Sequence, residues 1–255
     1  MYQKVTILEN APVCSGSLRM VLDASEIARA SKPGQFVMLK AWEGLDPFLP
    51  RPFSIHSANR SMGRLELLYK VVGRGTEIMQ ELKPGDAITI LGPLGHGFPL
   101  AEDSKRIALV GRGIGIAPLL FLAEEARRQG TQVHAYLSAR DEDHLFAKER
   151  FIALGCHVDT TCESGALVTD FFAQELQKNC FDAAYACGSK RLMGEVRRLQ
   201  KAYGFAGYVS LEEHMACGIG ACKGCVCTVH DKDGSEHYDS VCKSGPVFPL
   251  ERIVP

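Results

Sequence analysis

The stretch RIALVGRGIGIAP, residues 106–118, decides the fold class of this chain. Its opening run of apolar residues is typical of a strand that is buried on both faces of a parallel sheet. Three glycines follow, and Pro118 stands where a helix can begin, because proline is tolerated in the first helical turn. Apolar residues then recur at helical spacing over 119–126. Strand, glycine turn and helix in this order predict an α/β unit.

The chain downstream of this stretch continues to alternate between strands and helices. Gly130 suits a helix end, and the apolar stripe over 191–203 predicts a further helix. This alternation predicts a sheet with right-handed crossovers, and we assign the α/β domain to residues 101–208. Its other strands are predicted at 132–138, 157–161 and 183–186.

Residues 1–100 show a different pattern, in which short strands are separated by turns. The sequence KPG occurs at 32–34 and at 83–85, each time just before a strand. Proline presets φ for a turn and glycine supplies a positive φ, so the pattern predicts a small antiparallel β-barrel. The predicted strands are 4–8, 17–21, 35–39, 53–57, 65–71 and 87–91, with one short helix at 76–82.

Composition limits the classes of partner and the compartment. The formal net charge of −1 gives no reason to expect nucleic acid or an anionic membrane as a partner. No apolar run approaches the ~20 residues of a membrane span, and the first residues alternate like a strand rather than a signal peptide. Ten cysteines in such a chain favour metal or redox chemistry over disulfides. We therefore expect a cytoplasmic protein; the scattered Cys14, Cys156, Cys162 and Cys180 are interpreted as ordinary thiols.

The segment MACGIGACKGCVC, residues 215–227, holds four of those cysteines. Its C-x4-C-x2-C spacing is that of a plant-type [2Fe–2S] site, which a distant fourth cysteine completes. Zinc held by four thiolates is the alternative, although such sites usually pair two C-x2-C knuckles and only one is present. Residues 209–255 are too few for a core of their own, which a bound cofactor would compensate. The predicted ligands are Cys217, Cys222, Cys225 and Cys242, and Cys227 is set aside on spacing.

The glycines after the first quoted strand also indicate a phosphate site. Gly111, Gly113 and Gly115 would let the backbone approach a ligand at a helix N-terminus, which offers N–H groups and a positive dipole. The third glycine comes one residue too early for G-x-G-x-x-G, so a plain tight connection is the alternative. The CGS at 187–189 follows another predicted strand, at the edge where α/β sheets bind ligands. A glycine turn with its serine as a helix N-cap is the alternative there.

Two parts of the barrel segment suit a second cofactor. RPFS at 51–54 combines an arginine, whose fork of donors fits a diphosphate, with a serine that can donate to a flavin ring nitrogen. LYK at 68–70 offers an aromatic ring, and GRGT at 73–76 forms a glycine loop that opens the short helix. Taken alone, an arginine before a strand is an ordinary surface feature.

In the order RPFS, GxGT, GxGIGxxP and CGS, the chain resembles the ferredoxin–NADP reductase superfamily. The C-terminal LEEHMACGIGAC at 211–222, followed by VC at 241–242 and GPVF at 245–248, resembles the electron-transfer subunit of class 1B dihydroorotate dehydrogenase. The resemblance implies a multi-domain, ferredoxin reductase-like chain. It would comprise an antiparallel β-barrel flavin domain at 1–100, an α/β nucleotide-binding domain at 101–208 and a small [2Fe–2S] cluster domain at 209–255.

The resemblance also implies an electron conduit in pyrimidine biosynthesis. A catalytic partner subunit containing FMN would oxidise dihydroorotate, electrons would pass singly through the [2Fe–2S] cluster to FAD, and a hydride would reach NAD⁺. It implies a heterotetramer with two copies of each chain, and no catalytic acid or base in this chain. The rival hypotheses are a flavin/iron–sulfur reductase subunit of a transhydrogenase or sulfide-linked complex, and a non-catalytic zinc-binding adaptor.

By this resemblance, individual residues receive roles. The loop at 161–165 departs from the family pattern, because it is shorter and less acidic. Arg140 is either a contact for the 2′-phosphate of NADP or an ordinary surface charge. FAD is assigned to Arg51, Pro52, Phe53, Ser54, Leu68, Tyr69, Lys70, Gly75 and Thr76. The nicotinamide cofactor is assigned to Gly111, Gly113, Gly115 and Cys187.

Overall fold

The computed structural model describes residues 1–162, 165–231 and 233–253, so that Glu163 and Ser164 of the 161–165 loop lie outside the described residues. Its first part holds β1 (Tyr2–Cys14), β2 (Ser17–Asp23), β3 (Phe36–Lys40), β4 (Arg51–Asn59), β5 (Arg64–Lys70) and β6 (Ala87–Leu94). These strands close an antiparallel barrel in the order β1-β2-β5-β4-β3-β6. The alternating strand pattern and its turns therefore predicted this part correctly.

Two short helices flank the barrel strands. Helix α1 (Ser25–Ala30) was not predicted, because six residues are too few to show helical periodicity; it buries Ile27 and Ala28. Helix α2 (Arg74–Gln80) begins two residues before the predicted 76–82 helix, inside the glycine loop itself. That shift brings the loop glycines into the helix start.

The second part is an α/β unit built around the first quoted stretch. Its strands are β7 (Arg106–Arg112), β8 (Gln132–Ala139), β9 (His157–Cys162), β10 (Ala183–Cys187) and β11 (Ala206–Ser210). Its helices are α3 (Ala117–Arg128), α4 (Lys148–Ala153), α5 (Val168–Leu176) and α6 (Lys190–Tyr203). The five strands pair in parallel in the order β11-β10-β7-β8-β9. Strand β11 was not predicted, because a short AGYVS run lacks the β-branched density of its neighbours.

The C-terminal part is tied into that sheet. It contains β12 (Val226–His230) and β13 (Glu236–Ser240), which form a hairpin, then α7 (Val241–Ser244) and β14 (Val247–Pro249). Strand β14 pairs antiparallel with β11 and extends the sheet to six strands. Phe248 and Leu250 are buried in the core beneath the sheet. The sheet thus takes strands from both sides of position 209, and the division at 100/101 and 208/209 stays a prediction.

Helix α3 lies between the sheet and the barrel. Its Leu119 and Leu122 pack in the sheet core, while Phe121 is buried in the barrel core. The start of this helix is thereby held close to β4. No helix in the described ranges has the length and apolar character needed to cross a membrane.

Candidate functional site

A cleft of about 510 Å³ lies where the barrel, the α/β unit and the C-terminal part meet. The barrel side of its wall contains eight of the nine residues assigned to FAD, all except Gly75. The α/β side contributes Ile114 and Ala117, and the C-terminal part contributes 211–215 and Pro246. The eight barrel residues are Arg51, Pro52, Phe53, Ser54, Leu68, Tyr69, Lys70 and Thr76.

The barrel residues meet because β4 and β5 are antiparallel neighbours. The Phe53 and Tyr69 rings pack edge to face at 5.7 Å between centroids, and the Tyr69 hydroxyl donates to Asn10 Oδ1 at 2.9 Å. Burial raises the pKa of Tyr69 to about 12, against the opposing effect of that hydrogen bond, so its ring is a neutral wall of the cleft. Such an apolar wall with a few polar groups suits a flat aromatic cofactor.

The glycines at the start of α2 leave room for the Arg51 side chain. The Arg51 guanidinium lies over the Trp42 ring at 5.6 Å from its centroid. A Cβ at Gly75 would lie 3.0 Å from the Trp42 ring and 3.1 Å from Arg51 Nε, so glycine leaves room for this stack. The Thr76 hydroxyl accepts from the Val72 N–H at 2.9 Å and donates to the Gly73 carbonyl at 2.8 Å. Thr76 therefore shapes the loop, and its contact with FAD stays a prediction.

The glycine turn after β7 lies against the CGS turn after β10. A Cβ at Gly115 would lie 2.6 Å from the Cys187 carbonyl oxygen, and one at Gly111 would lie 2.9 Å from the Ile116 side chain. Gly113 has φ +55°, a conformation that side chains disfavour. These glycines thus serve close packing and a tight turn, as the alternative interpretation held, and a ligand role for them stays a prediction.

Cys187 is buried and does not line the cleft, and burial raises the pKa of its thiol. Ser189 accepts from the Leu192 N–H at 3.2 Å and caps α6. A second cavity, about 470 Å³, opens beside it at the carboxyl edge of the sheet, where α/β proteins bind ligands. It is lined in part by Arg112, Ser138, Ser189, Arg191 and Glu195. Arg140 pairs instead with Asp141 at 3.0 Å on the surface, which favours the surface-charge interpretation.

The four predicted ligand cysteines come together in the C-terminal part as two pairs. The Cys222 N–H donates to Cys217 Sγ at 3.4 Å, and the Cys242 N–H donates to Cys225 Sγ at 3.4 Å, which defines the two pairs. In the part of the chain that the structure describes, no three His, Cys, Asp or Glu side chains converge on a single ion. Two pairs of thiols suit a [2Fe–2S] cluster, which has four thiolates and two irons.

Backbone N–H groups point at these sulfurs. Gly220 donates to Cys242 Sγ at 3.1 Å, and Cys222 donates to Cys217 Sγ at 3.4 Å. For Cys217, burial raises the pKa but the backbone N–H groups outweigh it and bring it to about 6. Burial and the Cys225 thiol raise the pKa of Cys242 to about 12, so this ligand needs a metal's charge to ionise. The donor set therefore fits an iron–sulfur cluster.

Cys227 differs from the four. It lies on β12 opposite Asp239, and burial, with the charges of Asp239 and Glu213, raises the pKa of its thiol to about 11. Its half-buried side chain packs against the core beneath the sheet. The pKa of the Cys242 thiol is raised at least as far, so a raised pKa does not separate ligand from non-ligand, and setting Cys227 aside stays a prediction.

Sequence reasoning assigned no role to residues 211–215, which line the cleft. Desolvation by the cleft walls raises the pKa of the Glu212 carboxyl group although the residue is exposed, and the positive charge of Lys70 opposes that rise. Besides burial, the charge of Glu212 contributes to the raised pKa of Cys187. Met215, at the cleft, is only two residues from Cys217, which places the cleft next to the cluster cysteines. The feature of the sequence that could have identified residues 211–215 is their position just before the first cluster cysteine, Cys217.

Comparisons with known proteins support a flavin-binding domain and an iron–sulfur cluster domain in this chain. The oxidoreductase FAD-binding domain matches residues 7–98, and the iron–sulfur cluster binding domain of dihydroorotate dehydrogenase B matches residues 212–254. The dihydroorotate dehydrogenase B (NAD(+)) electron transfer subunit of Desulforamulus reducens is 39% identical over 247 residues, which are 95% of this chain and 94% of that protein. The subunit of the same name in Bacillus cereus is 36% identical over 259 residues, with coverage of 99% and 98%. A solved chain of an NADH-dependent reduced ferredoxin–NADP oxidoreductase shares the fold with a TM-score of 0.86 at 25% identity, covering 98% of this chain and 89% of that chain.

Proposed function

The chain belongs to the family of dihydroorotate dehydrogenase B electron transfer subunits, and from this premise we propose that it passes electrons from a catalytic partner to NAD⁺. The reaction served is the oxidation of dihydroorotate in the biosynthesis of UMP. The dihydroorotate itself is oxidised by the partner, which carries FMN, in an assembly of two copies of each chain. Because the ten cysteines form no disulfide and four of them are assigned to the cluster, we place the protein in the reducing cytoplasm.

The observation that carries the proposal is the short connection between the cleft and the cysteine cluster. Residues 211–215 line the cleft, and the first ligand, Cys217, follows at once. Pro246 lines the same cleft four residues after the last ligand, Cys242. The cluster segment, residues 217–242, is therefore flanked on both sides by residues that line the cleft. An electron carrier in each site would exchange electrons over a short distance within one chain.

Each part of the chain has its own task in this proposal. Residues 1–100 bind FAD through the walls formed by β4 and β5, residues 101–208 bind the nicotinamide cofactor, and residues 209–255 hold the cluster. The flavin, when bound, converts between single-electron and hydride transfer. Arg51 offers its guanidinium to the diphosphate, and Ser54 offers a donor to the ring. The four thiols hold the irons, and the N–H groups of Gly220 and Cys222 stabilise charge on the sulfurs.

The partner would dock over the cluster. Cys222 is the exposed ligand, and three large apolar side chains of the C-terminal part are also exposed: Ile219, Val226 and Tyr238. Val226 and Tyr238 lie on the same face of the β12–β13 hairpin, opposite the face that buries Val229. We name Ile219, Val226 and Tyr238 the docking face. An apolar surface beside an exposed cluster ligand suits a protein that receives or delivers electrons.

The test compares two cysteine variants in the complex with the catalytic subunit. Cys222→Ser should abolish the visible and paramagnetic signals of the cluster and stop NADH formation from dihydroorotate, while FAD stays bound. Cys227→Ser, the matched control, should keep the cluster and the coupling. Full coupling in a Cys222→Ser protein without a cluster would contradict the proposed electron path.

A further inference from the structure

Helix α3 and strand β4 lie side by side and connect the two proposed cofactor sites. Strand β4 starts with the flavin residues 51–54, and α3 starts directly after the glycine turn. Two polar contacts from β4 and a third from Arg60, the residue that follows the strand, reach α3 in the same order along the chain, and we call them the β4–α3 seam. The pairs are His56 with the Ala117 carbonyl, Ser57 with the Glu124 carboxylate and Arg60 with the Glu125 carboxylate, each at 2.7 Å.

The seam uses one face of α3. Ala117, Phe121 and Glu124 recur at helical spacing, and Phe121 is fully buried in the barrel core between the two polar ends. The Arg60 guanidinium also lies over the Phe121 ring at 5.6 Å. The first seam contact is only two residues from Ser54. Any sliding of α3 along β4 would therefore move the glycine turn relative to the flavin strand.

Arg150, on α4, braces the seam from outside. Its guanidinium donates to Glu66 on β5 at 2.6 Å and to Glu124 on α3 at 3.1 Å. Glu124 thus accepts Ser57 on one carboxylate oxygen and Arg150 on the other. Both carboxylates are mostly covered, with side-chain exposures of 19% for Glu66 and 18% for Glu124. Arg19 also lies 3.5 Å from Glu66, but Arg150 is the cation that contacts both carboxylates. Without its guanidinium, the charges of Glu66 and Glu124 would face each other across the barrel–helix contact with no cation between them.

We propose that Arg150 is a positioning residue: by bridging Glu66 and Glu124 it fixes α3 on β4, and so it sets the separation of nicotinamide and flavin. The inference rests on the proposed function, which places the two rings at these elements. The step itself moves one hydride, two electrons with one proton, from NADH to FAD, giving NAD⁺ and the reduced flavin anion. Arg150 neither gives nor takes a proton in this step. Its effect is geometric, and a misplacement of about 1 Å can slow a reaction by roughly 10²-fold.

The test is Arg150→Gln in the protein loaded with FAD and cluster. In anaerobic stopped-flow, the limiting rate of flavin reduction by NADH should fall roughly tenfold. The Kd for NADH and the contents of FAD and iron should stay as in the wild type, which separates positioning from binding. Without NADH, hydrogen exchange at the amides of 117–124 should become faster, because α3 is held less firmly.

Two further variants sharpen the result. Lys148→Gln is the matched control, because Lys148 also lies on α4, is 34% exposed like Arg150 and pairs with Glu142 at 3.7 Å outside the seam, and it should change neither readout. Glu124→Gln should slow reduction like Arg150→Gln, and the double variant should be no slower than the slower single one.

Unchanged reduction and unchanged exchange in Arg150→Gln would overturn the inference. Loss of FAD and cluster in proportion to the rate would overturn it too, since Arg150 would then only support the fold. A wild-type protein that NADH cannot reduce would contradict the proposed function instead, and the inference would fall with it.

Discussion

Gly115 shows what a single residue contributes to the nucleotide side of the cleft. The position lies where two turns meet, and a side chain there would collide with the Cys187 carbonyl and with the Gly188 Cα, at 2.6 and 2.8 Å. These are backbone atoms, which cannot move aside as a flexible side chain can. The glycine is therefore required by the contact between the turns that follow β7 and β10, whether or not a ligand binds there.

Gly115→Ala should destabilise the protein by roughly 1–3 kcal/mol, because it overpacks a rigid contact. It should also weaken reduction by NADH while FAD stays bound, since the barrel is untouched. Urea unfolding and an anaerobic NADH titration measure the two effects. Gly194→Ala, in open space on α6, is the control and should be neutral or stabilising by ~0.5–1 kcal/mol. Equal stability of the two variants would show that the turns can separate freely.

At the cluster, spacing carries the chemistry. The C-x4-C-x2-C spacing and one distant cysteine predicted four ligands, and the structure brings these cysteines together in two pairs, while their role as ligands stays a prediction. Sequence alone could not decide whether Ser189 caps α6, because a CGS turn is compatible both with ligand binding and with a helix N-cap. It also could not find Glu212, because a cleft lined from three parts of the chain leaves no local pattern.

At the scale of elements, β4 combines two tasks along nine residues. Its first half lines the cleft, and its second half holds α3 through His56 and Ser57. Strand β4 was predicted from alternation, but its contact with α3 was not, since a histidine and a serine on a strand reveal nothing about a helix more than 50 residues away. Long-range pairing of this kind needs the fold.

His56 makes this seam sensitive to acid. Burial lowers its pKa from 6.5 to about 4, against the opposing effect of the hydrogen bond to Ala117, with a further lowering by the Arg150 charge. The folded state therefore binds fewer protons than the unfolded state below pH 6.5. Stability from this group is complete above pH 6.5 and is lost as the pH falls towards 4.

Between pH 7.5 and pH 5, His56 should account for a loss of about 2 kcal/mol in the free energy of unfolding. Urea unfolding at both pH values measures it, with His56→Gln as the comparison, because glutamine keeps a donor and cannot titrate. The variant should lose about 2 kcal/mol less than the wild type over this range. The same loss in both proteins would mean that His56 is not held neutral.

On the scale of the whole molecule, the cluster segment is anchored at both ends in the α/β sheet. Strand β11 leads into it, and β14 returns to pair with β11. Composition predicted that residues 209–255 have no core of their own, and this agrees with Phe248 and Leu250 packing into the core of the sheet. The sequence showed no sign of the returning strand, because three residues are too short for a recognisable pattern.

Phe248→Ala should therefore cost roughly 3–5 kcal/mol of stability, although Phe248 lies outside the α/β segment of the chain. Chemical unfolding followed by far-UV circular dichroism measures this. Tyr238→Ala, at 75% exposure on the docking face, should leave stability within ~0.5 kcal/mol and weaken association with the catalytic subunit. A mild effect of Phe248→Ala would mean that β14 is dispensable for the sheet.

The central claim is that one chain joins a flavin and a [2Fe–2S] cluster for exchange of electrons with NAD⁺. The most direct measurement is an anaerobic visible spectrum of the purified protein during titration with NADH. We expect overlapping flavin and iron–sulfur absorbance, and we expect both to bleach as NADH is added. Bleaching of the flavin alone, or a colourless protein that contains zinc, would contradict the account.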